Sequence, residues 1–413
     1  MGLGVCRDVC HAVPGNEWNG TKRLSSEAAA RLAEIACELC IEAGIGNLTM
    51  RAVAERAGLT PPAVVYHFGN REKLLLAALE ALRQRLLATY QAIVAGLRAE
   101  AVGDMDAHSA ICAALIELVA TEGRAFAASD DMARALAVTA QAQQAGAVVA
   151  GMYGDAETFW RALPAVDALP EDARVLCVAV PLGLIPYAIL DRVAVRRNAM
   201  IVQAITRLFA RLHGAAVTLR ETAGDLAPLE DEARPEGKQQ IVEATIRLSG
   251  RLGIAGLTHR NIAKEAGLSA AATTYFYPTK EDIVVDAVRV VQMRAIDAVI
   301  AGHVPPPKFP SRITLDAESE ERSELAALTA FMNAAATLPD LGNLAATFRR
   351  IRGLAAVRWL RARGYAVDRL DGIIWSSATT PLTRKALLLP KAQRAAFLDD
   401  TAEIWLHRLF GQP

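Results

Sequence analysis

The sequence predicts an all-α fold made of two tandem units, and three observations carry that prediction. Alanine and leucine dominate, aromatics make up only 5%, and no run of alternating β-branched residues marks a strand. At 413 residues the chain is long for one core and suits two or more. The third observation is an internal repeat. The stretch Leu48–Leu74, LTMRAVAERAGLTPPAVVYHFGNREKL, returns 209 residues later as Leu257–Ile283, LTHRNIAKEAGLSAAATTYFYPTKEDI, without a gap. Thr49 pairs with Thr258, Arg51 with Arg260, Gly58 with Gly267, Tyr66 with Tyr275 and Glu72 with Glu281. Upstream, Leu32, Leu39, Gly44 and Ile45 match Ile241, Leu248, Gly253 and Ile254.

The repeated unit reads as three helices and the start of a fourth. In the first copy Thr49 can N-cap a helix with Val53, Ala54 and Ala57 on one face, and Gly58 supplies the left-handed residue that ends it. Thr60 is then expected to cap a second helix, with Pro61 at the first helical position, where a missing N–H is harmless. In the second copy Thr258 caps, Ala263 and Ala266 keep backbones close, Gly267 turns the chain and Ser269 caps again. Such short helices cannot bury a core alone. Amphipathic helices over Ala28–Ala43 and Lys238–Leu252 are expected to cover them, giving two compact trihelical domains.

A helix-turn-helix of this form presents its second helix to a DNA major groove while hydroxyls, basic groups and helix N-termini hold phosphates. The candidate DNA-contacting residues are Thr49, Arg51, Thr60, Ala63, Tyr66, His67 and Arg71 in the first copy. In the second they are Thr258, His259, Arg260, Ser269, Ala272, Thr273, Thr274, Tyr275 and Lys280. Lys22 and Arg23 lie just ahead of helix one, which is expected to begin at Ser25–Ser26, where they could touch phosphate or minor groove.

At these residues the chain resembles the tetracycline-repressor (TetR) family of transcription regulators, over about fifty residues in each half. The pattern is Thr49, Val53, Ala54, Ala57, Gly58, Leu59, Thr60, Tyr66, His67, Phe68, Arg71, Glu72, and again Thr258, Ile262, Ala263, Ala266, Gly267, Leu268, Ser269, Tyr275, Phe276, Tyr277, Lys280, Glu281. The family usually has Gly where this chain has Pro62 and Ala271, and an aromatic at Val65 and Thr274. The resemblance implies operator DNA as partner, a small effector bound in a helical domain behind each DNA-binding module, and release from DNA on effector binding. It also implies a four-helix bundle between units, which here falls to about 171–213 and 368–409.

Charge and composition narrow the alternatives. Net charge is zero, and the modules are only mildly basic, with seven Lys/Arg against six Asp/Glu over 21–74 and seven against five over 234–283. DNA affinity would then rest on helix N-termini and a few placed cations, with a modest salt slope. Residues 1–20 have no sustained apolar segment and no cleavage signature, and are expected to be a disordered tail rather than a signal peptide. Cys6 stands where a myristoylation signal wants Ser or Thr. The apolar run Val175–Leu190 is too short to span a bilayer and reads as a buried helix, so no membrane partner and a cytoplasmic location are expected. Cys37 and Cys40 lack a second ligand pair, so neither a metal site nor a cofactor is expected, and the cysteines read as core residues in a reducing compartment. No phosphate loop or nucleophile motif points to an enzyme.

The domain reading is a tail over 1–20, a helix-turn-helix domain over 21–70, an effector domain over 71–213, a linker over 214–236, a second helix-turn-helix domain over 237–279 and a second effector domain over 280–413. Asn70 caps a long helix from Arg71 to about Arg98. Helices are expected over about 105–121, 130–151, 171–190 and 196–213, with 151–170, rich in Gly, Pro and aromatics, lining or covering a cavity. An apolar or amphipathic effector could draw on Phe126, Met152, Tyr153, Phe159, Trp160 and Tyr187, and Gln141, Gln143 and Gln144 could add polar contacts. In the second half, helices are expected over about 280–300, 317–337, 341–363, 368–377 and 391–409, with the arginines 349, 350, 352, 358, 361 and 363 spread over a solvated face.

The functional expectation is a ligand-responsive repressor in which two modules of one chain do the work of a homodimer. Its recognition helices would sit about one DNA turn apart, ~34–36 Å, on an operator with unlike half-sites. The alternatives are that one module alone binds DNA and chains dimerise, or that a helical ligand- or protein-binding module has lost DNA binding.

Overall fold

The structure, a computed structural model, describes residues 17–99, 105–220, 233–301, 320–337 and 342–411, and among them every regular element is helical. The first unit runs α1 (Glu17–Ala43), α2 (Met50–Ala57), α3 (Pro61–Phe68), α4 (Arg71–Ala99), α5 (Ala107–Leu136), α6 (Ala142–Arg161), α7 (Glu171–Ala188) and α8 (Ala194–Leu212). The second runs α9 (Glu236–Leu252), α10 (His259–Ala266), α11 (Ala270–Phe276), α12 (Lys280–Ile300), α13 (Glu320–Thr337), α14 (Gly342–Ile351), α15 (Leu354–Ala362), α16 (Arg369–Leu387) and α17 (Lys391–Phe410). A short 3₁₀ turn precedes α2 (Ile45–Asn47) and another precedes α10 (Ile254–Gly256).

Several sequence expectations give way here. Helix α1 begins at Glu17, inside the expected tail and before Ser25, with no proline between them to stop it. The expected break after Thr121 is absent: α5 continues to Leu136, and α6 runs through the segment expected to be irregular as far as Arg161. Two glycines in these stretches are close-packing sites. A Cβ on Gly123 would lie 2.7 Å from Ile189, and one on Gly151 would lie 2.4 Å from the Arg83 guanidinium, which is paired with Asp155 at 2.7 Å. The expected single helix over 341–363 is broken at Gly353, whose φ of 80° excludes a helix, while α16 passes through Pro381 to Leu387. The middle of the linker, 221–232, lies outside the described residues.

The core ignores the repeat boundary. One buried cluster runs from α1 to α8 and continues into α15, α16 and α17; a second joins α9, α10, α12, α13 and α14. Helices α7 and α8 pack against α16 and α17, and α7 lies so close to α16 that a Cβ on Gly183 would sit 1.8 Å from the Ser377 carbonyl oxygen. Arg207 of α8 donates to Asp368 at 2.8 Å and to Asp371 at 3.0 Å, both carboxylates fully enclosed at the start of α16, and Arg211 reaches Asp371 at 2.7 Å. The first linker residues join this contact, since the Arg220 N–H donates to Asp368. Trp359 and Trp375 stack nearby, 5.6 Å between ring centres.

Candidate nucleic-acid interface and effector cavity

Both helix-turn-helix modules are built by local hydrogen bonds that their sequences dictate. Thr49 Oγ1 accepts the Ala52 N–H at 3.0 Å, and Gly58 ends α2 in the left-handed region at φ 67°. In the second module Thr258 and Asn261 form a reciprocal capping box, each side chain accepting the other's backbone N–H, and Gly267 ends α10 at φ 70°. Ser269 Oγ accepts the Ala272 N–H at 3.1 Å and so caps α11. Thr60 occupies the same place before α3, but its hydroxyl makes no capping bond. Pro61 and Pro62 bring no N–H, and the Ala63 N–H goes to the Thr60 carbonyl. The expected cap at Thr60 is therefore replaced by a backbone turn.

Each recognition helix has one inward and one outward side. Val64 in α3 and Thr273 in α11 are fully buried at matching positions. Thr273 is thus removed from the candidate DNA contacts: it faces the core, and its hydroxyl donates to the Ala270 carbonyl at 2.7 Å. Outward stand Tyr66 and Tyr275, 81% and 83% exposed, each edge-on to its neighbour, His67 or Phe276. Thr49, Arg51, Thr60, Thr258, Arg260, Ser269 and Thr274 are exposed, whereas Ala63, His67, His259, Ala272 and Lys280 are half-buried. Arg71 is exposed but engaged: its guanidinium donates to the carbonyls of Leu48 and Ile45, fastening the start of α4 to the turn before α2.

An ion-pair pattern missed at the sequence level fixes the same packing twice with reversed charge. Arg56 on α2 meets Glu42 at 2.6 Å and Glu38 at 3.4 Å on α1. At the three equivalent positions Glu265 on α10 meets Arg251 at 2.6 Å and Arg247 at 3.1 Å on α9. Three simultaneous swaps at one offset were a readable signal of contact.

Behind the modules lies a cavity of about 110 Å³. Leu86 and Tyr90 of α4, Phe126 of α5, Val149 and Met152 of α6 and Leu182, Ile185 and Ile189 in and after α7 form apolar walls, and Tyr153 joins them. Asn333 of α13 and Thr380, Pro381 and Arg384 of α16 also line it, so both units contribute. Of the expected effector residues Phe126, Met152 and Tyr153 therefore border the cavity. Phe159 and Trp160 do not: they are core, Phe159 stacked on Tyr90 at 4.5 Å. Tyr187 is covered by Arg352, whose guanidinium lies 3.2 Å from its ring centre. Gln141, Gln143 and Gln144 are outside the lining, and Arg352 is buried rather than solvated because the Gly353 turn directs it against Gly183 and Ser377.

The polar side of the cavity is organised by Asp130. Its carboxylate takes Arg134 at 2.8 Å, Asn333 at 2.9 Å and Arg384 at 3.1 Å. Burial alone would raise its pKa, but the two guanidinium groups and these hydrogen bonds hold it at about 2. Asp131 beside it has no comparable cation partner, and burial together with the Asp130 charge pushes it up to about 7. Among the described residues no helix is long and apolar enough to cross a membrane, and no group of three or more His, Cys, Asp or Glu is placed to hold a metal ion.

Comparison with known proteins bears on both modules. The family model described as bacterial regulatory proteins, tetR family, matches residues 32–78 and again 241–287, the same offset as the internal repeat. Each half of the chain thus carries a DNA-binding module of the tetR-family type, in two tandem copies. It is 39% identical over 62 residues to the HTH-type transcriptional regulator PksA of Bacillus subtilis (strain 168), a match covering 15% of this chain and 30% of that protein. The tetR-family likeness to PksA thus spans under a third of the relative's length. A solved structure with some similarity is that of the multidrug binding protein EbrR complexed with ethidium, at 24% identity and a TM-score of 0.28, covering 41% of this chain and 99% of that one.

Proposed function

We propose that this chain is a ligand-responsive transcription repressor that binds operator DNA as an intramolecular pseudo-dimer. The observation that carries the reading is the packing of α7 and α8 on α16 and α17 within one chain, closed by the buried Arg207–Asp368–Asp371 contact. With both modules held in one chain by this contact, α3 and α11 are the pair of recognition elements, and apart from the shared Tyr66 and Tyr275 their exposed residues differ. Pro61, Pro62 and Val65 stand where the second copy has Ala270, Ala271 and Thr274. The operator is accordingly two unlike half-sites about one helical turn apart. Tyr66, Tyr275, Arg51 and Arg260 are the residues assigned to DNA, supported by Thr49, Thr258, Thr274 and the capped start of α11. The effector occupies the cavity beside Phe126, Met152 and Tyr153. Selection from randomised duplexes, followed by footprinting of the selected site, tests this: protection of two dissimilar half-sites by the full chain supports it, and a perfect palindrome refutes it.

One observation favours a second reading, in which the second module alone reads DNA. Pro61 and Pro62 remove two amide donors from the N-terminus of α3, whereas α11 keeps its donors and its serine cap. Under that reading Arg260→Ala abolishes binding and Arg51→Ala leaves it unchanged; equal losses exclude it.

A further inference from the structure

The cavity carries more than a place for an effector, because its polar groups are unevenly satisfied. Both oxygens of Asp130 are taken, by Arg134 and Asn333 on one and Arg384 on the other. Arg384 has five N–H donors, and among the described residues its partners are Asp130 and the Tyr153 hydroxyl. A third of its side-chain surface is open. The charged hydrogen-bonding capacity left over among the lining residues is therefore on the donor side. The remaining walls are apolar, and the volume of about 110 Å³ is below the roughly 150 Å³ that accepts benzene in an engineered apolar cavity. The occupant is therefore no larger than a short branched chain or a single ring with an anionic head, and a ring is seated only as the walls move outward.

Asp130 is also where the first unit holds the second. Arg134, fixed by Asp130, extends its other arm to the Gly250 carbonyl in the last turn of α9 at 3.3 Å, and its stem packs beside Gly253. The same helix α5 touches the other module through Arg124, which donates to the Glu42 carbonyl of α1 at 3.2 Å. Helix α5 thus bears on the covering helix of both DNA-binding modules. Only its contact with the second is routed through a residue that lines the cavity.

Resting on the regulator reading above, we propose that the effector is a small apolar carboxylate whose head pairs with Arg384. It withdraws Arg384 from Asp130, which leaves that carboxylate to Arg134 and draws Arg134 off the Gly250 carbonyl, so that occupancy acts first on the second DNA-binding module. Arg384 binds the head, and Arg134 is a positioning residue that passes the change to α9. No covalent step is involved.

The test uses the full chain and three probes of one ring and similar size: benzoate, benzamide and benzylamine. Benzoate is expected to bind saturably, raising the thermal midpoint and perturbing tryptophan fluorescence, with affinity at least tenfold above either other probe and reduced at least tenfold in Arg384→Gln, since a charge-assisted hydrogen bond is lost. Benzylamine binding better than benzoate, or no benzoate binding at millimolar concentration by a chain of unaltered helicity, overturns the ligand class. For the relay, protection of a selected duplex is followed with and without benzoate. Loss of protection beginning over the half-site of the second module, and abolished in Arg134→Gln while benzoate still binds, supports the route; simultaneous loss over both half-sites, or an unchanged response in Arg134→Gln, overturns it. If the chain protects no duplex at all, the regulator reading fails while the thermal arm still decides the cavity chemistry.

Discussion

Replacing Arg207 with Met removes the centre of the contact between the two units. In the native chain this guanidinium reaches Asp368 and Asp371 at 2.8 and 3.0 Å and the Thr218 carbonyl at 3.2 Å, with both carboxylates enclosed. Methionine keeps most of the aliphatic packing but leaves two buried negative charges, of which Asp371 retains Arg211 and Asp368 retains only backbone N–H donors. Removing one partner of a buried pair typically destabilises by about 3–5 kcal/mol, and the remaining Arg211 places this variant near the lower end. The assay is urea unfolding followed by tryptophan fluorescence, which reports here because Trp359, Trp375 and Trp405 lie in this region. The predicted outcome is a midpoint loss equivalent to about 3 kcal/mol. The loss shrinks as pH falls below about 4: burial raises the Asp368 pKa, but Arg207 and the Arg220 N–H lower it further, so its stabilisation exists above the ordinary carboxylate range and disappears as pH falls through the depressed value. A loss below about 1 kcal/mol at neutral pH would refute the claim that this contact holds the units together.

Gly183→Ala is expected to open the α7–α16 contact, because the new methyl would meet the Ser377 backbone oxygen; overpacking of this kind costs about 1–3 kcal/mol or more, and an unchanged urea midpoint would contradict the packing. Asp131→Asn is expected to flatten the pH dependence of stability between about pH 4 and 7. The native carboxyl, raised to about 7, binds its proton more tightly in the folded state, so stability falls as pH rises through that window, by at most about 1.4 kcal/mol per pH unit; thermal melts of both proteins across the window check it. Arg51→Ala and Arg260→Ala should each weaken operator binding and reduce the salt slope by roughly one, which titrations at several salt concentrations measure.

The architecture was legible where local chemistry decides it. The gap-free repeat, the caps at Thr49, Thr258 and Ser269 and the turns at Gly58 and Gly267 follow from short-range steric and hydrogen-bonding rules, so they could be read from the sequence. What escaped depends on partners distant in the chain. The continuity of α5 and α6 through Gly123 and Gly151 escaped because the partners that fill the space beside them, Ile189 and Arg83, come from elsewhere in the chain. Arg352 looked solvated because only the Gly353 turn directs it inward, and Thr273 looked outward because seven residues of α11 carry too weak a periodicity to orient it. The cavity was half legible: Phe126, Met152 and Tyr153 are on first-unit helices flagged by their aromatics, but Asn333 and Arg384 join them only through the contact between units.

The most direct test of the pseudo-dimer is the mass of the complex on a selected duplex, by sedimentation with the chain in excess. One chain per duplex, protecting two unlike half-sites, is the predicted result; two chains per duplex on a palindromic site would contradict it.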